Sequence, residues 1–95
     1  MNWLVVIRPK AEQDLPEAKA WYESQRSGLG KALVVVFREA IRHLAEAPER
    51  QPVYYRGFRR LMTRRFPYKI FYLVEGNRVV VIRVLHSKRD HRRHL

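Results

Sequence analysis

The sequence predicts an α+β domain in which a helical hairpin packs on one face of a mainly antiparallel sheet. Three observations carry that prediction. A β-branched run opens the chain, two amphipathic helical segments follow, and the second half reads as strands punctuated by turn residues. The order is β-α-α-β-β-β. A length of 95 residues holds one such sandwich and leaves no room for a second core.

The first strand is read over residues 2–8, ended by Pro9. It is read as a strand rather than a leader, since no charged segment precedes the apolar run. A helix is expected over 11–25. Leu15, Ala18 and Trp21 with Tyr22 recur at helical spacing, and Glu12, Glu17, Lys19 and Glu23 lie opposite. Two starts fit: near Ala11 with Pro16 absorbed early, or at Asp14 as a cap with Pro16 in the first turn. Ser27-Gly28-Leu29-Gly30 breaks the helix. A second runs from about Leu29 to Ala47 on the stripe Leu33, Phe37, Ile41 and Leu44, and Pro48 follows it. So short a link implies an antiparallel hairpin, whose apolar faces need a sheet to cover them. After a polar loop over Glu49 to Pro52, strands are expected near 56–64, 67–74 and 78–86. Glu75-Gly76-Asn77 turns the last two into a hairpin. In the last strand, alternation sets Val80, Ile82 and Val84 against Val79, Val81, Arg83 and Leu85. Arg83 on an apolar face needs a reason: an open sheet edge, or a reach across to a phosphate or carboxylate. The tail from His86 to Leu95 is too polar to pack and reads as a turn and a loose end.

Composition excludes several classes. No cysteine means no disulfide, thiolate chemistry or cysteine-ligated zinc. The apolar run Leu33–Phe37 falls far short of the roughly 20 residues a membrane span needs. Charge is strongly asymmetric. Residues 1–49 hold seven basic and seven acidic side chains, whereas residues 50–95 hold thirteen basic and two acidic, so the whole net +11 lies in the second half. A surface built from that half attracts a polyanion or an acidic protein.

The basic half interleaves arginines with Tyr54, Tyr55, Phe58, Phe66, Tyr68, Phe71 and Tyr72, a mixture that also suits RNA. Phe66, Phe71 and Tyr72 are expected in the core, and Tyr68 beside Pro67 partly exposed. His86, His91 and His94 do not read as a metal site, because Lys88, Arg89, Arg92 and Arg93 repel a divalent ion; no cofactor is expected. His86 at a strand end suits either proton transfer or a hydrogen bond that fixes the tail. His43 is read as a surface residue, and Asp90 as an ion-pair partner of nearby arginines. No P-loop, dinucleotide fingerprint or serine elbow is present.

Several short segments follow one another in a definite order: Arg8-Pro9-Lys10-Ala11, Asp14-Leu15, Trp21-Tyr22-Glu23, Gly28-Leu29-Gly30 and Ala47-Pro48. Then come Arg65-Phe66-Pro67-Tyr68-Lys69-Ile70-Phe71-Tyr72, Gly76, and Val84-Leu85-His86-Ser87-Lys88-Arg89-Asp90. In order and spacing the chain resembles the RelE/ParE toxin superfamily of type II toxin–antitoxin modules, and most closely its ParE-like, plasmid-stabilisation branch. The resemblance implies a cytoplasmic toxin that arrests growth. It also implies a hetero-oligomer with a cognate antitoxin, which lays an extended helix or strand over the toxin.

Two targets occur in the superfamily. RelE-like members enter the ribosomal A site and cut mRNA with the substrate's own 2′-OH. ParE-like members bind DNA gyrase and are not hydrolases. For RNA cleavage the resemblance implies Arg65, Lys69, His86 and Arg89 as a metal-independent catalytic group. That set is incomplete. Lys69 stands where the RNases carry an arginine, which loses bidentate phosphate binding. Arg59 matches one strand lysine, but Leu61 falls near the other. The tyrosine of some RNases has no counterpart, leaving His86 or His94 to substitute. The expectation is therefore a gyrase inhibitor that is not an enzyme, with mRNA cleavage and a non-toxic basic binding module as alternatives. The target-binding set is Arg59, Arg60, Arg64, Arg65, Arg83, Lys88 and Arg89. Trp21 is the candidate antitoxin anchor; its alternative role is helix-to-sheet packing.

Overall fold

In a computed structural model, residues 3–89 and 93–95 are described. The elements are β1 (Leu4–Ile7), α1 (Pro9–Gln25), α2 (Leu29–Glu46), a 3-10 turn (Pro48–Arg50), β2 (Val53–Tyr55), β3 (Phe58–Met62), β4 (Tyr68–Glu75) and β5 (Arg78–His86). The strands form one sheet in the order β1-β5-β4-β3-β2. β1 runs parallel to β5, and the other neighbours are antiparallel. Both helices cover one face.

Pro9 does two jobs. It cannot continue the ladder and its fixed φ suits the first helical position, so β1 passes straight into α1. The helix thus begins earlier than either expected start, and Asp14 lies inside it rather than at its cap. The link to α2 is held by Glu23. Its carboxylate accepts the backbone N–H groups of Gly28 (3.0 Å) and Gly30 (3.0 Å), which fill positions an N-cap side chain would take. Those two donors hold the Glu23 carboxyl below its ordinary range. Gly30 must stay small: a Cβ there would sit 2.8 Å from the backbone oxygen of Lys19, because the helices cross that closely.

The expected strand over 56–64 is corrected. It is shortened to β3, because Arg56 (φ 49°) and Gly57 (φ 82°) both lie in the left-handed region and form the two-residue turn that joins β3 to the additional strand β2. The expected loop over 49–52 contains the 3-10 turn. The helix-facing core gathers Leu33, Phe37 and Leu44 from α2 with Ile70, Tyr72, Val79, Val81 and Val84. Each large side chain so buried contributes roughly 1.5–3 kcal/mol. Simple alternation would not put both Val81 and Val84 there. The register steps between Phe71, opposite Arg83, and Tyr72, opposite Val81, so Ile82 is an extra residue and the facing pattern inverts beyond it. Phe66, Phe71 and Tyr72 are buried as expected, and Tyr68 is half-buried. The Tyr72 hydroxyl donates to the carbonyl of Pro48 (2.7 Å), and burial pushes its phenol up to about 12. Among the described residues, no helix is long and apolar enough to cross a membrane.

Candidate functional site

The basic residues of the second half divide by what they touch. Arg59 turns inward and donates to the carbonyls of Glu49 and Gln51, holding the 3-10 turn against the sheet. Arg83 forms a two-pronged pair with Asp14: Nε to Oδ2 at 2.8 Å and a terminal nitrogen to Oδ1 at 2.9 Å. This resolves the puzzle of an arginine on an apolar strand, since both expected reasons hold. β1 accompanies β5 only as far as Val81, so Arg83 stands at an open edge and reaches a carboxylate. The ion pair raises the guanidinium further above its ordinary range. Arg59 and Arg83 thus brace the frame. Arg60 stacks its guanidinium over Tyr54, 3.7 Å from the ring centre.

Four further cations lie on the two loops at one end of the sheet. The loop between β3 and β4 is drawn tight by buried Thr63, whose hydroxyl bonds to the carbonyl of Phe66 (2.8 Å) and whose N–H donates to Tyr68 O (3.0 Å). Arg65 there adopts φ 68°, an uncommon conformation for a side chain with a Cβ. The turn after β5 is tied to this loop by Ser87 N–H donating to Pro67 O (2.7 Å). Arg64, Arg65, Lys88 and Arg89 are all exposed, and among the described residues no carboxylate pairs with any of them. They form a cationic corner.

His86 supports that corner from below. Its Nδ1 accepts the Lys88 N–H (3.1 Å), its carbonyl accepts the Arg89 N–H (3.0 Å), and its ring meets Tyr68 edge-on at 5.4 Å. The fixing role expected as one alternative for His86 is therefore seen. The turn expected at the start of the tail is therefore present. His94 and Leu95 are half-buried. Burial and the charges of Arg89, Arg83 and Arg93 lower the pKa of His94. Asp90, His91 and Arg92, with the ion pair expected of Asp90, lie outside the described residues.

Of the four residues considered for RNA cleavage, the structure joins His86 with Arg89 and sets Arg65 nearby. Lys69 stands apart. Tyr68 and Ile70 face the helices, so Lys69 between them faces the other way, whereas His86 lies opposite Tyr68 on the helix side. Next to His86 and Arg89 is a shallow cavity of about 220 Å³ that also borders Glu17, Trp21 and Tyr68. Trp21 is 57% exposed, not packed between helix and sheet. His43 is exposed. No three His, Asp or Glu side chains gather as metal ligands among the described residues.

Sequence reasoning missed Asp14, Thr63 and Pro67, which hold the corner in place. The one available signal for Asp14 was the unexplained Arg83 itself.

Two helices on this five-stranded mixed sheet are accompanied by a family match. The family model for the ParE toxin of the type II toxin–antitoxin system parDE matches residues 5–91. The chain belongs to the ParE toxin family. Its fold is shared by solved toxin–antitoxin structures. One is the chromosomal ParDE system from P. aeruginosa, with TM-score 0.70 and 15% identity, covering 90% of this chain and 97% of that one. Another is the RelBE2 complex from Mycobacterium tuberculosis, with TM-score 0.63 and 23% identity, covering 90% and 99%. No curated protein matches the sequence. For this ParE-family chain, the α+β sandwich read from the sequence is the fold observed, with one more strand than expected.

Proposed function

We propose that this toxin-family chain arrests growth by binding DNA gyrase through the cationic corner, without cutting RNA. It would act in the cytoplasm and be held in check by a cognate antitoxin. The observation that supports this reading is the division of Lys69 from His86 by the sheet. A cation and a proton-transfer group that leave neighbouring strands on opposite faces are poorly placed to act on one scissile phosphate. A rigid, unpaired cationic corner instead suits an electronegative protein–DNA surface. Arg64, Arg65, Lys88 and Arg89 make the contacts in this reading. Arg60 adds to them, and Arg59 and Arg83 brace the frame.

The antitoxin site follows from a second feature. Between α1 and α2 lies an apolar groove of about 520 Å³, floored by Ile7, Leu15, Val34, Phe37 and Ile41, with Lys19 and Arg38 at its rim. An amphipathic segment with acidic flanks fits it, and exposed Trp21 offers an additional anchor beyond the groove.

The test is pulse labelling during induced expression, together with a supercoiling assay on purified protein. Thymidine incorporation is expected to fall before methionine incorporation. Changing Arg64, Arg65, Lys88 and Arg89 together to Gln is expected to weaken supercoiling inhibition by about tenfold or more, equivalent to at least about 1.4 kcal/mol. An early fall in methionine incorporation, with gyrase untouched, overturns the reading in favour of mRNA cleavage.

A further inference from the structure

Asp14 is 8% exposed, lies well inside α1, and is separated from its partner Arg83 by 69 residues. Its carboxylate accepts three hydrogen bonds. Two come from the Arg83 guanidinium, and the third from the backbone N–H of Val84 at 2.9 Å. The third bond is the informative one. β1 protects the edge of β5 as far as Val81, whose carbonyl accepts the N–H of Arg8 (3.0 Å) before the chain leaves as α1. Beyond that point β5 has no strand neighbour on that side among the described residues, and the extra residue Ile82 loosens the ladder at the same place. Asp14 supplies the missing rung. Two residues after Val84 comes His86, from which the Lys88 and Arg89 backbone groups hang.

From this we infer that Asp14 is a positioning residue: by closing the open edge of β5 at Val84 and gripping Arg83, it fixes the direction in which Lys88 and Arg89 leave the sheet. An edge strand without its last rung opens locally. Cations on a fraying turn must be ordered again when they bind, which weakens binding without removing a single contact. The inference rests on the corner being the target-binding surface.

The experiment uses the full chain with Asp14→Asn and Asp14→Ala. The Asn side chain keeps a carbonyl oxygen for Val84 but loses the ion pair; Ala loses both. Amide hydrogen exchange, retention on heparin and gyrase supercoiling inhibition are measured per folded molecule. Exchange at Val84, Ser87 and Arg89 is expected to quicken in Asp14→Ala by about tenfold or more beyond the rise shared by the amides of α2, which report the global loss of stability. Heparin retention is read in Asp14→Ala combined with Arg83→Ala, which keeps the wild-type net charge and frees no guanidinium; there retention and inhibition weaken in step, and inhibition by Asp14→Asn falls between wild type and Asp14→Ala. A uniform rise in exchange, or none at these amides, overturns the inference, because Asp14 then serves only global stability. So does local exchange with heparin retention unchanged. If Asp14→Ala does not fold, the Asn variant decides by the same readouts. If wild-type protein leaves gyrase unaffected, the gyrase reading fails separately, and exchange with heparin retention still decides the role of Asp14.

Discussion

Glu75 and Arg78 face each other across the turn from β4 to β5, at 3.4 Å, with side chains 53% and 48% exposed. At the other end of β5, Asp14 and Arg83 meet at 2.8 Å with side chains 7% and 12% exposed. In both pairs the arginine belongs to β5, yet water treats them differently. The first competes with hydration and salt at every moment, and such pairs contribute about 0–1 kcal/mol. The second has both guanidinium prongs and a backbone N–H satisfied, in a place water reaches poorly, so removing one partner strands the other. The same contrast runs through the arginines. Arg59 and Arg83 turn inward and shape the sheet's margins, while Arg64, Arg65 and Arg89 remain outward and, among the described residues, without a carboxylate partner. A net charge of +11 therefore overstates the charge available to a partner.

The sharpest way to break the comparison is Asp14→Ala. It should lower unfolding stability by about 3–5 kcal/mol, measured by urea titration. A loss below about 1 kcal/mol would put this pair in the same class as Glu75–Arg78. Glu23 offers an intermediate case, an exposed carboxylate bound by two backbone N–H groups instead of a cation. Its carboxyl is held below the ordinary 4.5. A group depressed in this way adds stability above its unfolded value and loses it as pH falls through the folded one. Thermal melts of Glu23→Gln should therefore lie below wild type at neutral pH, and the gap should close as pH falls below 4.5. A gap that persists unchanged in acid would mean that the charge of Glu23 adds nothing to its hydrogen bonds. The smallest effect is expected from Glu75→Gln, within about 0.5 kcal/mol at moderate salt by the same urea titration.

Much of the fold was legible because its signals are local. The stripe of α2, the turn at Gly76 and the burial of Phe66, Phe71 and Tyr72 each follow from spacing within one segment. The misreadings came where a backbone angle or a distant neighbour overrode that spacing. Arg56 took a positive φ in what read as a continuous strand, and Pro9 started a helix where it had seemed only to stop a strand. The bulge at Ile82 inverted the facing of Val84, which no count along β5 alone could register. The candidate site was visible as a list of cations but not as a place.

What the sequence determined by itself was the order of elements, the confinement of positive charge to one half, and the family pattern that spans 5–91. What only the tertiary structure decided was which cations are free, and whether Lys69 and His86 share a face. The reason is the range of the forces involved. Periodicity is set by neighbours a few residues away, but a charge is quenched by whatever the topology brings alongside it. For Arg83 that is a carboxylate 69 residues earlier, held on a helix that starts where β1 ends.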